Sequence, residues 1–122
     1  MPATDFDTER KYNDDQFTAR TVFENKRLKV VLGYFASGQF IPVHAPDSDV
    51  TIAVQSGTGV VREETTEHAV EPGDVVVVKA GVARGVKAGN TQLEALLVTA
   101  PPPSDAEHEP VREGIRRGEF DP

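Results

Sequence analysis

The chain has 122 residues, with 20 acidic against 13 basic side chains and a formal charge of -7. That length suits one domain with a single core, and the charge argues against a phosphate backbone or an anionic membrane as partner, so no nucleic acid and no membrane are expected. With no cysteine, disulfides, thiolate nucleophiles and sulfur-based zinc sites are excluded, which leaves histidine and carboxylate chemistry.

The N-terminal stretch MPATDFDTERKYNDDQ has neither the basic start nor the apolar run of a signal peptide. The longest aliphatic run, Val75 to Val78, is far too short to cross a bilayer. A soluble cytoplasmic protein is expected. Residues 1–16, with Pro2, Asn13 and four aspartates, read as a polar arm that could lie across a partner subunit.

From Phe17 the pattern becomes that of strands. FTARTVFE is the first, closed by a turn at Glu24-Asn25-Lys26. RLKVVLGYF is the second, with Leu28, Val30, Leu32 and Tyr34 on one face and Lys29, Val31, Gly33 and Phe35 on the other. Phe40-Ile41 is a short strand confined by Pro42 and Pro46, and His44 sits between those prolines. VTIAVQ, residues 50–55, leads to Ser56-Gly57-Thr58-Gly59, which predicts a hairpin into VVREE. His68-Ala69-Val70 is brief, Glu71-Pro72-Gly73-Asp74 is a turn, and Val75 to Lys79 is a strand whose valines are assigned to the core. Gly81, Gly85 and Gly89-Asn90 punctuate the next segment, and TQLEALLVTA closes the pattern.

Eight or nine short strands without a helix before residue 100 predict an all-β fold, a jelly-roll barrel over residues 17–100. Beyond Pro101-Pro102-Pro103, Ser104 and Glu107 have capping-box spacing, and Pro110 opens a short helical VREGIRR stopped by Gly118. Residues 101–122 therefore form a tail, with Val111, Ile115 and Phe120 available for docking.

Two stretches, GQFIPVHAPDSDVTIAVQSG from Gly38 and GDVVVVKAGVARGVKA from Gly73, resemble the paired motifs of the cupin superfamily, in particular its small single-domain members. In the first motif Gly38, His44 and Gly57 fit, while Pro46 stands for the second histidine and Val50 for the glutamate. In the second, Gly73 and Gly81 fit, while Lys79 stands for the proline, Arg84 for the histidine and Ala88 for the asparagine. The resemblance covers residues 28–99. It implies a conical β-barrel, often dimeric, in which three histidines and a glutamate hold a divalent metal, and of those four only His44 is present. The turn glycines of the family are kept; its metal chemistry is not.

Three readings are open. In the first, a non-catalytic, metal-free barrel binds a small, anionic organic molecule through Arg84 and His44, lined by Tyr34, Val50, Ile52 and Val86, with no cofactor. An inward guanidinium requires a carboxylate or an anionic ligand, because an unpaired buried charge is too costly. In the second, a metal-dependent enzyme of oxygenase or isomerase type has rewired its divalent transition metal onto His44, Asp49 and His68. In the third, the barrel is filled and the protein is a structural or regulatory homodimer, with the arm and tail contacting a second subunit.

Overall fold

The computed structural model describes residues 3–121; Met1, Pro2 and Pro122, the outermost residues of the predicted arm and tail, lie outside the described residues. A short helix α1 (Phe6–Glu9), which the sequence pattern does not announce, precedes seven strands, β1 (Thr18–Glu24), β2 (Lys29–Phe35), β3 (Phe40–His44), β4 (Asp49–Glu63), β5 (Thr66–Val70), β6 (Val75–Val78) and β7 (Arg84–Ala100). A 3₁₀ turn (Ala106–His108) and the helix α2 (Glu109–Arg117) complete the chain. The fold is all-β and antiparallel, as predicted, but with seven strands in place of eight or nine.

The difference lies in β4 and β7. The hairpin expected at Ser56–Gly59 does not form, and Gly89-Asn90 does not interrupt the chain. Instead β4 and β7 run alongside each other from Asp49↔Ala100 to Glu63↔Arg84, with register shifts between Val54 and Ser56 and between Gly57 and Gly59. Those shifts are bulges, where a strand gains a residue and bends. Gly57 makes the bend possible: its φ is +80°, and a Cβ there would lie 1.6 Å from the Gln92 carbonyl oxygen. A glycine with positive φ is as much the mark of a bent strand as of a turn, and here long-range pairing selects the former.

Each long strand thereby serves two halves of the sheet. In one half the order is β1-β2-β7-β4-β6, through the C-terminal part of β7 and the N-terminal part of β4. In the other it is β3-β7-β4-β5, through the remaining parts. The halves share one core, with Val50, Ile52, Phe35, Leu93 and Ala95 from the first and Val61, Val70, Val86 and Ala88 from the second. This is the predicted jelly roll. Of the valines in β6, Val76 and Val78 pack inward while Val75 and Val77 are 60% and 58% exposed, so half of that run is surface. Strands alternate their side chains between two faces, and an edge strand with one covered face buries every second residue only. Strand β3 runs on through Pro42 to His44, and β7 is its strand neighbour. Proline is tolerated there because an edge strand has one side without a ladder.

The arm lies on its own sheet. Asp5 caps α1 by accepting from the Thr8 N–H at 2.7 Å, and the Tyr34 hydroxyl donates to the Phe6 carbonyl at 2.8 Å. Beyond α1, the Arg10 guanidinium makes two hydrogen bonds to the buried Glu94 carboxylate, at 2.6 and 2.9 Å, and Tyr12 donates a third at 2.7 Å. A buried carboxylate is stable only when paired and hydrogen-bonded, and Glu94 is both.

The tail packs on β3. Ser104 and Glu107 form the expected capping box, and Glu107 also accepts from the Asp47 N–H at 2.7 Å, tying the tail to the β3–β4 turn. Helix α2 (Glu109–Arg117) has Pro110 in its first turn and is capped by Gly118 with φ 69°, close to the predicted bounds. Gly114 then packs so tightly on Pro42 that a Cβ would come within 2.6 Å of its ring. At the end, the Val43 N–H donates to the Phe120 carbonyl at 2.7 Å, the Phe120 ring packs against Gly85, and Arg62 pairs with Asp121 at 2.8 Å.

Candidate functional site

A cavity of about 150 Å³ opens at one end of the barrel, between the two halves of the sheet and beneath the tail. Val50, Ile52 and Val86 line it as predicted, together with Ile41 and Leu97. Strand alternation puts every second residue of β2, β4 and the C-terminal part of β7 on the cavity side, and the irregularity between Ile41 and His44 brings both of those β3 residues to it. The walls are thus aliphatic, and polar groups interrupt them at few points.

Two of those groups are the predicted pair. Arg84 and His44 are register partners at the adjoining ends of β7 and β3, and both line the cavity. Arg84 is 4% exposed. Its Nε donates to the Val82 carbonyl at 2.9 Å and its Nη2 to the Lys79 carbonyl at 2.8 Å. Among the described residues Nη1 has no hydrogen-bond partner, and no carboxylate forms an ion pair with the guanidinium. Glu63 stands opposite Arg84 in the ladder, yet its carboxylate is turned to His68 at 3.0 Å. Burial lowers the Arg84 pKa, with the charge of Asp49 as the opposing influence; an arginine nevertheless remains a cation.

His44 Nδ1 lies 2.8 Å from the Pro42 carbonyl oxygen. A carbonyl only accepts, so Nδ1 carries the proton and Nε2 keeps its lone pair. The site therefore combines one fixed cation, which has donor capacity to spare, with one neutral imidazole, and both adjoin an aliphatic chamber.

No family model matches the sequence, and no curated protein matches it. Solved structures do. The chain is similar to the protein TT1209 of Thermus thermophilus, with 30% identity over 84% of this chain and 100% of that one and a TM-score of 0.80. It is similar to an RmlC-like cupin protein of Desulfovibrio desulfuricans, with 27% identity over 84% and 98% of the two chains and a TM-score of 0.75. The chain belongs to the cupin superfamily. KdgF from Halomonas, 20% identical over 81% of this chain and 93% of its own with a TM-score of 0.71, shares the fold.

The metal that cupins are expected to hold does not suit this member. His44, Pro46, Val50 and Arg84, the four positions that the motifs align with the family's ligands, all line the one cavity, so the fold has kept the place and changed the side chains. Pro46 and Val50 have no ligating atom, and the Arg84 guanidinium is a permanent cation set where a donor should be. A catalytic metal needs about three protein ligands, and this set offers one.

The ligand set of the rewired alternative is not brought together. Asp49 accepts from the Ala80 N–H at 2.8 Å, and His68 pairs with Glu63 on the β4–β5 hairpin. Neither lines the cavity with His44, and among the described residues no group of three or more histidine, aspartate or glutamate side chains is placed to hold a metal ion. Tyr34 is also misassigned as a lining residue. It faces outward from β2, buried under the arm between Phe6 and Tyr12 at ring separations of 6.1 and 5.7 Å. Its neighbours on the inward face, Val31 and Gly33, line the cavity instead.

Sequence reasoning missed three polar groups of this cupin's cavity: Lys29, Thr99 and His108. Lys29 was legible, since it shares the face of Val31 and Gly33. His108 was not, because it belongs to the tail and reaches the cavity only when the tail folds back. Burial lowers the His108 pKa, helped by the charges of Lys29 and Arg112 and opposed by Asp105 and Glu107.

The two histidines give the cupin a pH signature. Burial lowers the His44 pKa from its ordinary value of 6.5; the Pro42 carbonyl opposes this, and the Arg84 and His108 charges reinforce it. Below 6.5 the unfolded chain takes up protons that the folded chain resists, so the contribution is full above that value and fades as pH falls. The melting temperature is expected to drop between pH 7.5 and 5.5, and His44→Gln, which keeps a donor for the Pro42 carbonyl, is expected to show a shallower drop. An identical slope in the variant would show that His44 takes no part.

Proposed function

We propose that this cupin binds a small organic anion in its barrel, its carboxylate or equivalent group on Arg84 Nη1 and on His44 Nε2, which takes up a proton as the anion binds, and its apolar body against Val50, Ile52 and Val86, without a metal cofactor and without catalysis. One observation carries the reading: a guanidinium that is almost wholly buried, facing an aliphatic cavity and held by two backbone carbonyls with no carboxylate paired to it. Carbonyl dipoles hold its direction, and the charge of Asp49 offsets only part of the cost of burying it, so an arriving anion finds a cation with no ion-pair partner. Ligand pockets in general combine apolar walls with a few converging polar groups, and this chamber has that make-up.

The test is a thermal melt and calorimetric titration with valerate and, as the charge-reversed control, n-pentylamine. Valerate is expected to raise the melting temperature and titrate to one site per chain, and the amine to do neither. An equal response to both, or to neither, overturns the reading.

A further inference from the structure

The cavity carries basic groups at two places. At one lie Arg84 and His44. At the other lie Lys29 on β2 and Thr99 beside it on β7, and His108 from the tail is within electrostatic reach of both Lys29 and His44. In a chain with 20 acidic residues, no aspartate or glutamate lines this cavity among the described residues. Acidic side chains are elsewhere on the surface; the chamber is the positive spot of a negative protein, and such a spot focuses field lines on an anion.

Strand register sets the separation of the two places. Lys29 pairs with Thr99, Thr99 with Val50, and Val50 with Val78, a row of four strands in one half of the sheet. The Arg84 guanidinium is fastened at the far end of that row, on the carbonyl of Lys79 next to Val78. Three strand spacings separate the ends, about 14 Å along the wall and less across the barrel. Two side chains reaching inward, with a hydrogen bond of about 2.8 Å at each end, leave a gap of a few methylenes. The wall between is aliphatic.

Resting on the reading of Arg84 as the anion anchor, we propose that the ligand is a short-chain dicarboxylate, with one carboxylate on Arg84 and His44 and the other on Lys29 and His108. A monocarboxylate satisfies one end and leaves the Lys29 end to water. His108 joins the site only because Glu107 holds the tail to Asp47 and Phe120 and Asp121 fasten it beyond α2, so the diacid makes its full set of contacts only with the tail in place.

The test is calorimetric titration of the full chain with matched pairs, glutarate against valerate and adipate against hexanoate. Each diacid is expected to bind at least about tenfold more tightly than its partner, the increment of one added charge-assisted contact. Lys29→Gln is expected to weaken each diacid more than its monoacid partner and so remove that preference, and Lys29→Arg to retain it. Equal affinities within each pair, lost together in Arg84→Met, overturn this inference and leave the anion site standing. A diacid preference that survives Lys29→Gln overturns it too. If neither mono- nor diacid binds, the anion site itself falls, and this inference with it. Native circular dichroism of each variant separates lost contacts from lost fold.

Discussion

Replacing Arg84 with methionine is expected to abolish carboxylate binding while leaving a folded barrel. In the wild-type protein an incoming carboxylate meets a cation that its carbonyl partners already aim, so it gains a charge-assisted hydrogen bond at little reorganisation cost. Methionine has a similar reach and no charge. Removing one partner of a buried charged pair costs about 2–5 kcal/mol of binding, which lowers affinity by roughly 30-fold or more. Stability responds differently. The carbonyls of Val82 and Lys79 lose their donors, at about 1–3 kcal/mol for each left buried and unpaired, but the desolvated cation is gone as well, and replacing buried ions with apolar groups is often neutral or stabilising. These effects oppose each other, and the net change is expected to be within about 2 kcal/mol. Calorimetry reads the first effect and urea unfolding the second. Unchanged carboxylate affinity in the methionine variant would end the case for Arg84 as the anchor.

Conversely, restoring the family's side chains should restore its metal. The triple variant Pro46→His, Val50→Glu and Arg84→His, combined with the native His44, would place three imidazoles and a carboxylate around one chamber, since all four positions already line it. The expected result is about one Mn(II), Ni(II) or Zn(II) per chain by elemental analysis and a melting temperature that rises on adding metal and falls back with a chelator. At metal concentrations about a hundred times the dissociation constant the gain is about 2.7 kcal/mol. The wild-type chain is expected to show no such response. A folded triple variant that takes up no metal would mean that the four positions share a cavity without converging on a point.

The barrel was readable because its signals are local and redundant. Alternation in β2 gave the correct two faces, and Pro110 with Gly118 gave the ends of α2. The bend at Gly57 reads as a hairpin in the sequence because positive φ serves both, and only pairing with β7 distinguishes them. The inward direction of Arg84 was legible from its place in the motif, whereas its carbonyl partners were not, since they depend on the path of the chain between β6 and β7. Placing Tyr34 in the cavity runs against its own alternation: it lies on the face opposite to Val31 and Gly33, and the ring that makes it attractive as a ligand contact serves as the floor for the arm. His108 was invisible because about sixty residues and a whole barrel separate it from the β3–β4 turn that its neighbour Glu107 grips.

The grip of the tail bears on how recognition can diverge among related barrels. Part of the chamber wall is contributed from outside the strands, by Pro103, His108 and Val111, in a stretch that no sheet register constrains. On the anion-site proposal, substitutions there would alter the fit of the bound molecule while leaving every strand register unchanged.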